Sequence, residues 1–134
     1  MAQIGDGLVA LPVDARTQEQ LEWVAEEIAE AGGTSTLWRA ALTTRAQERA
    51  LVAEMAAARA VEYVSIADRA SSARDAVAPE RLRLLRSLRR ELRQVQRRDF
   101  FPPLARDRAR LEVEALAGVA LVATDRPSGA RVES

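Results

Sequence analysis

Residues 79–103 read PERLRLLRSLRRELRQVQRRDFFPP, and the fold follows from how this stretch divides. Pro79 suits the first turn of a helix, where its missing N–H is not needed. Pro102-Pro103 cannot continue a helix interior. Between them Leu85, Leu88, Leu92 and Val95 recur at spacings of 3, 4 and 3, a heptad-like seam. Two heptads are too short to prove a coiled coil. The seam therefore reads as the packing face of an αα-hairpin, with helices over 80–99 and 104–117 and its turn at Phe100-Phe101. Gly118 leads into Val119-Ala120-Leu121-Val122, which fits a helix tail and a short strand equally.

The other side of the 80–99 helix carries Arg83, Arg86, Arg90, Arg93 and Arg97, at spacings of 3, 4, 3 and 4. At 100° per residue they form one exposed stripe opposite the leucines. Glu91 and Asp99 are the nearby acids. Like charges three and four residues apart repel by a few tenths of a kcal/mol each, so the stripe is easier to explain if an anion faces it. Nucleic acid, an acidic protein surface and a small oxyanion are the candidates, beside a merely solvated charged face. The acidic surface has a counterpart in the chain itself: Glu19, Glu22, Glu26 and Glu30 follow one another at 3, 4 and 4. No helix-turn-helix, zinc-finger or RNA-binding signature accompanies the arginines.

Upstream, Gly7-Leu8-Val9-Ala10-Leu11-Pro12 is short and apolar and reads as a buried strand. Thr17, with Gln20 three residues on, offers a capping box for a helix over 18–31. Leu21, Val24, Ala25 and Ile28 supply its apolar face, and Gly32-Gly33 stops it. Thr34 to Arg39 is β-branched and aromatic and reads as a second strand. Residues 47–76, free of Gly and Pro, read as two helices or one bent one, with Tyr63, Val64 and Ile66 extending the buried face. Two strands alone make a marginal sheet, so a further strand or a second subunit is expected. The class is α+β, predominantly helical: a small α/β unit over 1–42, a helical region over 43–126 and a flexible tail over 127–134.

Composition narrows the chemistry. The chain has 134 residues, is 48% hydrophobic and 30% charged, and contains neither His nor Cys. The usual transition-metal ligands, the commonest general base and the thiol nucleophile are missing. No dinucleotide or phosphate-loop spacing surrounds Gly5-Asp6-Gly7. Asp6 and Asp14 read as turn acids at the ends of a strand rather than metal ligands. An enzyme is not expected, nor a cofactor, a metal site or a membrane span. Absence of cysteine fits a reducing cytoplasm. All 20 basic residues are arginine, a planar fork suited to oxyanions. The net charge of zero conceals a dipole. Residues 1–80 hold 7 Arg and 13 acids, a balance of −6; residues 81–134 hold 13 Arg and 7 acids, a balance of +6. Trp23 and Trp38 read as core or interface residues.

The run GDGLVALP, then QEQLEWVAEEIAEAGG, TSTLWRA and the arginine-rich helix ending in RRDFFPP, resembles the N-terminal region of the ChrB family of chromate-resistance proteins over roughly residues 4–117. The resemblance implies a partial ferredoxin-like βαβ unit, similar to the module of PaaX-type repressors, followed by a helical arm. It implies a DNA-binding, chromate-responsive transcriptional regulator with operator DNA and chromate oxyanion as partners, and a homodimer. The strand and helix that such relatives carry before the Gly-Asp-Gly turn have no counterpart in these residues. The expectation is a shortened chain or a piece of a longer one, acting as regulator or as its dimerisation module. The other reading is a helical interaction protein that does not bind DNA.

Overall fold

A computed structural model describes residues 2–5 and 7–124, with side chains from Gly7 to Val122. The protein is predominantly helical. It divides into two compact units, residues 1–55 and residues from 56 onward.

The first unit opens with a hairpin of β1 (Ala2–Gly5) and β2 (Leu8–Ala10), antiparallel, pairing Ala2 with Ala10 and Gln3 with Val9. Gly7 has φ 79°, a left-handed conformation that glycine adopts without strain. Helix α1 (Ala15–Glu30) follows. Its cap is Asp14, not Thr17 as expected: the Thr17 N–H donates to Asp14 Oδ1 at 2.8 Å, and the Asp14 N–H donates back to Thr17 Oγ1 at 3.2 Å. The box exists with its members one turn earlier, because the carboxylate caps before the apolar periodicity begins. Thr17 is buried, and its hydroxyl donates to the Pro12 carbonyl at 2.5 Å. At the other end Gly32, at φ 82°, donates to Ala29 O and Gly33 to Ile28 O, closing a Schellman motif at the expected glycines. A Cβ on Gly33 would lie 2.8 Å from Ile28 Cγ2.

The expected second strand at 34–39 does not form. Thr34 to Arg39 are exposed and belong to no ladder, and β2 pairs with β1 instead. A ferredoxin-like βαβ unit needs a parallel strand after α1, so it is not supported among the described residues. β-propensity reports fit to a half-buried pleated surface, and Thr34 to Arg39 are exposed instead. Its side chains instead line a groove of about 460 Å³ with Leu21, Val24 and Ile28 of α1.

Residues 45–73 form one helix, α2 (Arg45–Ala73), about 43 Å long at 1.5 Å per residue. Thr44 Oγ1 accepts the Gln47 N–H at its start. In the second unit the later part of α2 packs with α3 (Ala78–Arg97) and α4 (Ala105–Thr124). Tyr63, Ile66, Ala67 and Ala70 meet Leu85, Leu88, Leu92 and Val95 and, from α4, Ala109, Val113 and Leu116. The alanines of α4 allow its close approach to α3, and the α3 leucines fill the core beside them. The 3-4-3 seam is therefore the α3 contribution to a three-helix core. Pro79 lies in the first turn of α3. α4 passes through Gly118, so Val119–Val122 is helix and not strand. Val64, expected on the buried face, is 41% exposed. The expected tail at 127–134 lies outside the described residues, as does Asp6. Among the described residues no helix is long and apolar enough to cross a membrane.

Candidate functional site

Burial of Leu85, Leu88, Leu92 and Val95 fixes the rotation of α3. It turns Arg83, Arg86, Arg90, Arg93 and Arg97 outward, and all five are exposed. At 100° per residue they fall within an arc of about 80°, and at 1.5 Å per residue the row is about 21 Å long. Arg89, which the stripe pattern had passed over, is exposed on the edge of the same face.

The unit does not leave every arginine free. Arg98 binds Glu62 at 2.8 Å, Arg69 binds Glu91 at 2.5 Å, Arg108 binds Asp68 at 2.8 Å, Arg59 lies 3.1 Å from Glu62, and Arg74 pairs with Glu112. Arg81 donates to the Arg74 carbonyl at 3.0 Å. Among the described residues none of the five row arginines makes an ion pair or a side-chain hydrogen bond. The two acids nearest the row are both taken by α2. Glu91 is held by Arg69, and Asp99 accepts the hydroxyl of Tyr63 at 2.7 Å. Four like-charge neighbours along the row cost roughly 1–2 kcal/mol in total at a few tenths each. A local carboxylate could relieve that cost, and the helices assign the local carboxylates elsewhere.

Two ionisations are displaced. Asp14 is held below the ordinary carboxylate value, chiefly by the N–H of Thr17. Tyr63 is pushed well above its ordinary value, first by burial and then by the hydrogen bond and charge of Asp99. Neither lies on the arginine face. No group of three or more metal-ligating side chains occurs among the described residues.

On α1 the row Glu19, Glu22, Glu26 and Glu30 is exposed and makes no ion pair among the described residues. Its one hydrogen bond is the Gln18 amide donating to Glu22 at 2.9 Å. The two tryptophans, expected in a core or interface, are surface residues of this unit: Trp23 is 66% exposed and Trp38 80%. Sequence spacing could not place Trp38, because the segment that carries it has no regular structure. The arrangement offers an exposed cationic row fitted in charge to hold an extended anion.

No family model matches this chain, and no curated protein or solved structure matches it at a significant level.

Proposed function

We propose that the chain is a DNA-binding regulatory protein of the ChrB type, meeting duplex phosphates with the α3 row. The observation that carries this reading is the contrast within one small unit: five arginines elsewhere in it have carboxylate partners, and the five on the outer face of α3 have none among the described residues. A row of guanidinium forks at helical spacing matches a phosphate backbone in charge and donor geometry. Without a base-reading element, the row supplies affinity and position more than sequence choice. A tetrahedral dianion such as chromate, bound between two of these forks, would compete with phosphate for them, which gives an effector its leverage.

The test is salt-dependent binding to a duplex. Replacing Arg86, Arg90 and Arg93 with Ala should weaken binding and flatten the slope of log K against log salt by about 2.7, at roughly 0.9 per phosphate contact. An unchanged affinity and slope would sink the reading. Chromate should release the duplex at concentrations where sulfate does not; equal weak effects of both would remove the effector from the proposal. The other reading, a helical interaction protein, is favoured by the exposed tryptophans. It expects association without retardation of any duplex.

A further inference from the structure

Two helix faces of opposite charge make no ion pair among the described residues. On α3 the arginine row runs about 21 Å, from Arg83 to Arg97; on α1 the glutamate row runs about 16 Å, from Glu19 to Glu30, at 1.5 Å per residue. Both keep a three-four spacing, so each row follows one side of its helix. The α3 row lies opposite the buried seam of its helix, and the α1 row lies opposite half-buried Leu21, Ala25 and Ile28. The α1 row also holds Trp23, one turn from Glu19, Glu26 and Glu27 and 66% exposed. A tryptophan bordered by carboxylates is a poor solvent face and a good seat for a guanidinium, which can stack on the indole while its N–H groups reach the acids.

We infer that the α1 acidic row docks on the α3 arginine row of a second copy of this chain. The inference rests on reading the α3 row as a surface built to meet anions, and it names a protein occupant for that row alongside nucleic acid. Applied reciprocally, α1 of each copy lies on α3 of the other. A reciprocal pair of this kind uses every row once and leaves no charged row to propagate. The net charge of zero, divided as −6 and +6 along the chain, is neutralised twice over in such a pair. The dimer and DNA then compete for the same guanidinium groups. Self-association masks the α3 face, and a duplex displaces it.

The test uses the full chain in sedimentation equilibrium. The unaltered chain should dimerise, and more weakly at about 1 M than at about 0.1 M salt, as screening shortens from about 10 to about 3 Å. Reversal of α3 (Arg86→Glu, Arg90→Glu, Arg93→Glu) or of α1 (Glu22→Arg, Glu26→Arg, Glu30→Arg) should each raise the dimer's dissociation constant about tenfold or more. Mixed together, the two reversed chains should form a heterodimer, since each then offers the rows the other lacks. A single chain carrying both reversals should dimerise again yet fail to bind DNA. All positions changed are exposed, and circular dichroism checks the fold; neutral Arg→Gln and Glu→Gln triples should each weaken the dimer, and their mixture should associate less tightly than the mixture of reversed chains, because it keeps one complementary pair of rows instead of two. A monomer at low salt, or a dimer indifferent to both reversals, overturns the inference. DNA binding lost with the arginines in a monomeric protein would leave the proposed function standing. Charge-dependent dimerisation with no DNA binding would do the opposite.

Discussion

The hydroxyl of Tyr63 donates to Asp99 Oδ2 at 2.7 Å, joining the middle of α2 to the turn between α3 and α4. Tyr63 is fully buried, and the other Asp99 oxygen, Oδ1, has no partner among the described residues. Replacing Tyr63 with Phe keeps the ring and strands a partly buried carboxylate, which should cost about 1–3 kcal/mol. Urea denaturation of the full chain measures it. A loss below a few tenths would mean that water replaces the hydroxyl freely.

The same bond gives an alkaline limit. Burial and Asp99 together raise the ionisation of Tyr63 above its ordinary value of 10.0. The unfolded chain therefore releases this proton first. The stabilisation is whole below pH 10 and is lost as the pH rises beyond it. Tyr63 is the only tyrosine in the sequence, so the rise in ultraviolet absorbance on phenolate formation comes from it alone. Phenolate formation should coincide with unfolding; a simple titration at the ordinary value with the fold intact would contradict the burial.

At low pH the vulnerable group is Asp14. Its ionisation is held down mainly by the Thr17 N–H, so its contribution is present above its ordinary value of 3.8 and lost as the pH falls through its folded value. Asp14→Ala should speed hydrogen exchange at the amides of Thr17 and Gln18, which both bond to Asp14. Asp14→Asn should preserve the cap and abolish its acid transition.

The two faces of α3 should respond oppositely to truncation. Leu88→Ala opens a hole in the three-helix core and should cost about 2–5 kcal/mol in urea. Arg86→Ala, Arg90→Ala and Arg93→Ala combined should leave stability unchanged or raise it by up to about 1 kcal/mol, by removing like-charge neighbours. A strongly destabilised triple variant would mean that the row has a structural partner.

Gly118 sits inside α4, and a Cβ there meets nothing within 4 Å. Gly118→Ala should therefore stabilise the protein by about 1 kcal/mol, the helix-propensity difference, as an upward shift of the thermal midpoint. No gain would place residues 119–122 outside the cooperative helix.

Much of the helical region was legible because it depends on local rules. Pro79 and Pro102-Pro103 bracket α3, the 3-4-3 leucine seam fixes its rotation, and Gly32-Gly33 end α1. The failures have one cause in common. Thr34 to Arg39 has strand composition, yet a strand is a relation between two segments, and composition cannot say whether an edge is available. β1 was missed for the converse reason: Ala2 to Gly5 has little strand character of its own, and the signal was the Asp6-Gly7 pair after it. Asp14 caps α1 well ahead of Leu21, where the apolar periodicity of the helix starts, so that periodicity does not point to it.

For the α3 row, the sequence by itself determined the spacing, the charge and the side of the helix, since helical geometry converts positions 3 and 4 apart into one face. What only the tertiary structure decided is that the row is unpaired. Whether Glu91 and Asp99 neutralise the arginines on their own helix or serve α2 depends on how three helices pack. Those contacts join residues more than 20 positions apart, which no local periodicity encodes.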